Sequence, residues 1–406
     1  MNTQEHIALA RQYGADNYAP LEVVIESAEG AWVTDVDGRR YLDMLSSYSA
    51  LNFGHGHPRL TKALTEQLSR VVVTSRAFYN DQYGPFCREL AEFCGMEWVL
   101  PMNSGAEAVE TAIKTARKWG YDVKGVPDGQ AEIICCENNF HGRTTTIVSF
   151  STDPIASTGF GPPTPGFLIA PFGDLAATEA LMTDRTVAVL IEPIQGEAGI
   201  LMPPEGFFKK LEALCKRNNV LLMVDEIQTG LGRAGKKFAH YYDDITPDVL
   251  ILGKALGGGL LPVSAVVSSK AILGVLTPGT HGSTFGGMPL SCAVAREALR
   301  LLEDEKLADR AAESGAYLMD RLREMNSPAV CEVRGRGLLI GMELKPEAGT
   351  AKKYCLALQE QGLLCKDTHE QVIRFAPPLI IDRKDIDWAL ERIERVFSGE
   401  RAGVGG

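Results

Sequence analysis

Residues 219–254 read NVLLMVDEIQTGLGRAGKKFAHYYDDITPDVLILGK, and two short apolar runs in this stretch each end on a charged group. NVLLMV (219–224) runs into Asp225 and Glu226, and DVLILG (248–253) runs into Lys254. Runs that are short, continuous and rich in β-branched residues are what strands buried on both faces look like, and such strands belong to parallel sheets covered by helices. Further runs lie on either side: EIICCE (132–137), TVAVLI (186–191), which leads into Glu192, and SAVVS (264–268). One helix is clear between them. After Asn103 and Ser104, apolar residues fall at Ala106, Val109, Ile113, Ala116 and Trp119, the three-to-four spacing of an amphipathic helix. The expectation is an α/β fold whose large, mostly parallel-sheet domain covers residues 46–295. From about residue 296 the chain becomes more charged and helical, with VRGRGLLIGMEL (333–344) and QVIRFAPPL (371–379) as strand-like pieces. These outline a smaller α+β domain over 296–406, with residues 1–45 packing against it.

Composition narrows the function. The 406 residues carry a formal net charge of −11 and are 45% hydrophobic, which excludes a disordered chain and argues against broad binding to nucleic acid or anionic membranes. The nine cysteines include no C-x-x-C pair and read as reduced packing residues. The N-terminal stretch MNTQEHIALARQYG has neither the apolar core of a secretory signal nor the acid-poor, arginine-rich character of a transit peptide, and the uncharged stretch from Ala255 to Ser269 is too short and too glycine-rich to span a bilayer. A cytoplasmic location is expected. Only the tail SGERAGVGG (398–406) reads as a low-order segment.

Two patterns are decoys. Gly230, Gly232 and Gly235 in GLGRAG match the dinucleotide pattern G-x-G-x-x-G. In a dinucleotide fold, however, the first glycine closes the strand directly, whereas DEIQT intervenes here. A nicotinamide-dependent oxidoreductase is therefore a remote alternative. His55 and His57 flank a glycine, but no third ligand shares the segment, so a packed turn is favoured over a metal site.

The strand-end charges carry the chemistry. Open parallel sheets bind ligands at the carboxyl ends of their strands, so Glu192, Asp225 and Lys254 should converge on one crevice. A buried salt bridge is the structural alternative, but burying each ion costs on the order of several kcal/mol, so structure alone seldom explains it. A lysine in such a pocket can lose its proton and attack an aldehyde. Ser104, Gly105 and Ala106 open the amphipathic helix, where free N–H groups and the helix dipole make an anion site. A lysine, a carboxylate and a phosphate cradle form the minimum set for pyridoxal 5′-phosphate (PLP).

At these residues the chain resembles the class III (subgroup II) PLP-dependent aminotransferases of fold type I. The signature runs from LLMVDEIQTGLGRAG through PDVLILGKALGGGLLPVSAV and places Asp225 and Lys254 29 residues apart. Within the family the chain is most similar to the ornithine-using members, over nearly its whole length. The matching segments are YLDMLSSYSALNFGHGHP, TSRAFYN, NSGAEAVETAIKTARKWGY, NFHGRT, GFGPPTPGF, EPIQGEAGI, HGSTFGG, VRGRGLL and GLLCKDTHEQVIRFAPPL.

The resemblance implies a catalytic pair. Lys254 would form the Schiff base with the cofactor and later shuttle the proton, and Asp225 would hold the cofactor ring nitrogen protonated. It implies that Gln228 binds the ring's phenolic oxygen, that Phe140 stacks on the ring with His141 beside it, and that Ser104, Gly105 and Ala106 hold the phosphate. Thr284 would reach that phosphate from a second subunit of a homodimer with active sites at the interface. For substrates it implies Tyr48, Tyr79 and Arg143 at the α-amino and α-carboxylate end of ornithine, Arg374 for a carboxylate of 2-oxoglutarate, and Glu197 as the mask that covers Arg374 while ornithine is bound. The implied reaction converts L-ornithine and 2-oxoglutarate to glutamate-5-semialdehyde, which cyclises to pyrroline-5-carboxylate, and glutamate. Acetylornithine, 4-aminobutyrate and lysine remain alternative donors, because His141 replaces the Trp of animal members and also occurs in the FHGRT segment of acetylornithine-using ones.

Overall fold

The computed structural model describes residues 1–398, so all but the first residue of the tail SGERAGVGG lies outside the described residues. Three sheets organise the chain. The first joins β1 (Ile25–Glu29), β2 (Trp32–Asp35) and β3 (Arg40–Asp43) to the two-residue β13 (Leu363–Leu364), which pairs in parallel with β3. The second contains β4 (Trp98–Met102), β5 (Glu132–Cys136), β6 (Phe167–Ala170), β7 (Thr186–Ile191), β8 (Leu221–Asp225), β9 (Val249–Leu252) and β10 (Ser264–Ser268), in the order β4-β10-β9-β8-β7-β5-β6. The third orders β11 (Val330–Arg336), β12 (Leu339–Leu344), β15 (Val372–Phe375) and β14 (Lys366–Thr368), all antiparallel.

The central sheet is why the apolar runs carry no alternation. Ile133 and Cys135 of β5 face one way, against Val109, Ala112, Ile113 and Ala116 of the helix Gly105–Trp119. Ile134 and Cys136 face the other way, with Val189, Ile191 and Val224, against Phe207, Phe208, Leu211 and Leu214 of the helix Phe207–Arg217. Each large side chain buried in this way contributes roughly 1.5–3 kcal/mol, and a charged residue at Val189 would break the layer. The run SAVVS is also fully buried, but β10 lies antiparallel to both β4 and β9. The expected strand-like segment 333–344 is a hairpin of β11 and β12, and 371–379 supplies β15. The division drawn at 295/296 falls within the helix Pro289–Asp304. Of the nine cysteines, only Cys331 is exposed. Among the described residues no helix is long and apolar enough to cross a membrane, and no cluster of side chains could hold a metal ion.

Candidate active site

β7, β8 and β9 run parallel and side by side, so their carboxyl ends share one edge of the sheet. There Glu192 follows β7, Asp225 closes β8, and Lys254 stands two residues past β9. The helix Gly105–Trp119 points its N-terminus at the same edge. Ser104 caps it reciprocally: its Oγ accepts from the Glu107 N–H at 3.2 Å, and its own N–H donates to Glu107 Oε2 at 2.6 Å. The first N–H groups of the helix, those of Gly105 and Ala106, have no partner within it.

A cavity of about 180 Å³ lies between these pieces, lined by Gly105, Ala106, Phe140, His141, Gly142, Glu192, Asp225, Ile227, Gln228, Thr229 and Lys254. Lys254, half-buried and in a left-handed backbone state (φ 45°), opens into it. A wider surface groove of about 680 Å³, lined in part by Lys236, Lys237 and Lys306, contains none of the expected site residues.

The ionisable groups are strongly perturbed. Burial drives the Lys254 ammonium down to about 8, with Arg374 pushing the same way and Glu197, Asp225 and Glu192 opposing. Burial also lifts the Glu192 carboxyl to about 8; His141 opposes this and Asp225 adds to it. Glu192 accepts a hydrogen bond from the Phe140 N–H at 3.1 Å. His141 Nδ1 lies 2.7 Å from Asp225 Oδ2, and although burial disfavours its charge, that contact holds the imidazole pKa above its ordinary value. The other ring nitrogen of His141 is buried and has no partner. Asp225 Oδ1 also accepts from the Ile227 N–H at 3.0 Å, so one carboxylate orients both the imidazole and the following loop.

A second cluster adjoins the first through Gln228. Arg374, on β15, is almost wholly buried and donates to both oxygens of Glu197 at 2.7 and 3.1 Å. Gln228 Nε2 donates to Glu197 Oε1 at 2.9 Å. Burial alone would raise the Glu197 carboxyl, but Arg374 overrides it and holds it at about 2. The guanidinium carbon of Arg374 sits 4.9 Å from the ring centroid of Tyr48. Tyr48 belongs to a left-handed turn in which Ser46, Ser47, Tyr48 and Ser49 all have positive φ. Asp43 fixes that turn by accepting from the N–H groups of Leu45 and Ser46 at 2.9 and 2.8 Å. Gly196 makes the clustering possible, because a Cβ there would lie 1.7 Å from Gln228 Oε1.

Arg233 ties the two clusters together. Fully buried, it donates to Asn52 Oδ1 at 2.7 and 3.2 Å, to the Leu338 carbonyl at 2.9 Å and to the Pro377 carbonyl at 2.5 Å. Burial lowers its guanidinium pKa to about 9, with Asp43 opposing. It thereby joins the loop after Asp225, the segment after Tyr48 and the segment after Arg374.

Asp225, Lys254, Gly105, Ala106, Phe140, His141 and Gln228 thus meet around one cavity, with Ser104 at its rim and Tyr48, Glu197 and Arg374 beside it. Arg143 is exposed, with its guanidinium carbon 5.6 Å from the Phe140 ring centroid. Tyr79 and Thr284 do not reach the cavity within this chain. Tyr79 is fully exposed beside Arg76 and Tyr83. Thr284 is exposed next to Ser283, which accepts from Asn103 at 3.0 Å. None of the three GLGRAG glycines lines the cavity. The pairing of His55 with Asp43 at 2.9 Å shows a histidine used as a turn fastener. Sequence reasoning placed Glu192 in the crevice with Asp225 and Lys254 but gave it no role, and it missed Ile227, Gly142, Thr229 and Arg233 altogether.

The chain matches known proteins over nearly its whole length. The pattern of the class-III aminotransferases matches residues 13–397. The chain is 57% identical to ornithine aminotransferase from Halalkalibacterium halodurans, over 98% of this chain and 99% of that one. It is 56% identical to the Bacillus subtilis enzyme of the same name, over 97% and 98%. Among solved structures it is similar to ornithine aminotransferase from Toxoplasma gondii, which has PLP at partial occupancy in its active site (47% identity, TM-score 0.97, 98% and 94% coverage). It is also similar to acetylornithine aminotransferase from Elizabethkingia anophelis (45% identity, TM-score 0.90, 98% and 100% coverage).

Proposed function

This chain belongs to the class-III aminotransferase family, and on that premise we propose that it uses PLP to transfer the δ-amino group of L-ornithine to 2-oxoglutarate, giving glutamate-5-semialdehyde and glutamate. The observation that carries the donor assignment is the bidentate Glu197–Arg374 pair beside the Lys254 cavity. One pocket must accept a cationic diamino acid and then a dicarboxylate. An arginine covered by a carboxylate in the first half-reaction and uncovered in the second meets both needs.

The residues fit the cofactor: an amine faces a buried carboxylate across a cavity whose far end is a helix N-terminus, and the unpartnered buried nitrogen of His141 marks a polar site built for more than packing. When bound, PLP supplies an aldehyde that captures amino groups and a protonated ring that draws electrons from the carbon attached to them. Lys254 Nζ would hold that aldehyde and would carry the proton at the substrate carbon. Asp225, braced by His141, would hold the ring nitrogen, Phe140 would pack on the ring, and Gln228 would bind the ring oxygen. Ser104, Gly105 and Ala106 would hold the phosphate with N–H groups at the helix N-terminus. Arg143, Tyr48 and Tyr79 hold the α-end of ornithine so that only the δ-amine reaches Lys254.

The exposed positions of Thr284 and Tyr79 in a single chain support a homodimer in which each subunit completes the other's site. Residues 46–295 make up the PLP-binding unit and the chain from 296 the smaller unit with 1–45 joined to it, the helix Pro289–Asp304 bridging the two, and the enzyme works in the cytoplasm. An absorbance titration of the holoenzyme with L-ornithine, N-acetylornithine and 4-aminobutyrate tests the assignment. Ornithine should convert the bound cofactor to its amino form at the lowest concentration, and a preference for N-acetylornithine would overturn the donor.

A further inference from the structure

The loop that carries Glu197 is held in a conformation its own sequence disfavours. Gly199 has φ 98°, and the next residue, the β-branched Ile200, has φ 58°. A β-branched side chain stays in that region only where its surroundings impose it. Here they do. Ile200 is fully buried with Ile194, Ala234, Leu339 and Ala376, and it fits because position 341 is glycine: a Cβ there would lie 3.1 Å from Ile200 Cβ.

The polar restraints come from the third sheet. Arg334, on β11, donates through Nε to the carbonyls of Gly199 and Ile200, both at 3.1 Å, and through Nη2 to Gly199 at 2.7 Å. Its remaining nitrogen is held by Glu332 at 2.7 Å and by Glu343. Thr368, on β14, donates to the Glu197 carbonyl at 2.6 Å. Arg374 stands on β15 of the same sheet. Glu197 arrives from β7 of the central sheet, yet its backbone is fastened to the sheet that holds its partner. The pair therefore opens by rotation of the Glu197 side chain over a fixed backbone. If Arg334 let go, Ile200 would relax out of the left-handed region and carry Glu197 away from Arg374.

We infer that Arg334 is a positioning residue for the Glu197–Arg374 pair: its grip on the Gly199 and Ile200 carbonyls sets how firmly the enzyme refuses a dicarboxylate. The inference rests on the reading of Arg374 as the dicarboxylate site. Its test is calorimetric binding of glutarate to the holoenzyme, in the wild type and in Arg334→Met, Glu197→Gln and the double variant. Removing charge-assisted hydrogen bonds that hold the mask should tighten glutarate binding roughly tenfold in Arg334→Met. The same variant should raise KM for ornithine while leaving kcat within about twofold, the signature of lost ground-state binding. With the mask already gone in Glu197→Gln, adding Arg334→Met should change glutarate affinity by less than about twofold, since the coupling requires both partners.

Unchanged glutarate affinity in Arg334→Met, or parallel loss of both substrates, would overturn the inference. Should Arg334→Met fail to fold, Thr368→Val removes an independent fastening of the same loop and must move glutarate affinity in the same direction. A wild type that ignores ornithine overturns the donor assignment alone, because the glutarate cycle does not involve the donor.

Discussion

Near neutral pH a sizeable minority of the Lys254 amines should already be uncharged before any cofactor or substrate arrives. The protein brings the Lys254 ammonium from its ordinary 10.5 to about 8. At a pH of about 7.4, roughly one-fifth of the Lys254 amines are then neutral, against fewer than about one in a thousand for an ordinary lysine, a gain on the order of 250-fold. Cofactor-free protein exposed briefly to a small anhydride across pH 6 to 10, then digested and read by mass spectrometry, measures this directly. Acylation at Lys254 should pass half its maximum near pH 8 and level off about one pH unit higher, and a rise that continues unbroken to pH 10 would refute the reasoning. Glu197→Gln should lower the Lys254 midpoint further, because the carboxylate that favours its charge is gone. The linkage has a definite sign: between about pH 8 and 10.5 the unfolded chain holds the Lys254 proton that the folded chain has released, so Lys254 makes the cofactor-free fold gain stability as pH rises through that window.

The acid side carries the same sign. Glu197 is held at about 2 against an ordinary 4.5, so its contribution to stability is complete above pH 4.5 and is lost as pH falls toward 2; urea unfolding of Glu197→Gln should lack that part of the acid limb. Arg233→Lys keeps the charge but cannot serve Asn52, Leu338 and Pro377 together, and should cost about 3 kcal/mol in urea unfolding; a loss below about 1 kcal/mol would show that the fork is dispensable. Gly196→Ala puts a methyl onto Gln228 and should lower kcat/KM for both substrates at least about tenfold with a modest drop in Tm, whereas wild-type kinetics would mean that Gln228 is free to move. Tyr48→Ile should shift donor preference toward ω-amines that lack an α-amino group, and an unaltered ornithine preference would remove Tyr48 from the specificity account.

The strand ends were legible because burial on both faces leaves a mark in composition: TVAVLI, NVLLMV and DVLILG could be placed in a covered sheet, and the charged group after each followed at once. The helix at Ser104 was legible through its cap and its spacing. Strand direction was not, since a fully buried run such as SAVVS reads the same whether its neighbours run with it or against it. β4 escaped notice because Pro101 looks like a strand breaker, and it is tolerated there because β4 pairs on one side only, with β10. Asn52 and Arg233 are 181 residues apart, and no local pattern announces their bond. The left-handed turn at SSYS contains no glycine to signal it. Tyr79 and Thr284 rest on family resemblance alone, because within one chain neither meets the cavity.

The reversed strand β10 bears on the order in which the chain can assemble. β4 joins the central sheet through β10 and nothing else, and Ser264 at the start of β10 donates to the carbonyl of Ser104 at 2.7 Å across 160 residues. A nascent chain therefore emerges with β4 and the helix Gly105–Trp119 complete in sequence but without a seat. Both edges of β4 stay bare until more than a third of the protein has followed, a span in which unpaired strand edges invite association with other chains. The anchor of the helix N-terminus is among the last long-range contacts of the central sheet to close.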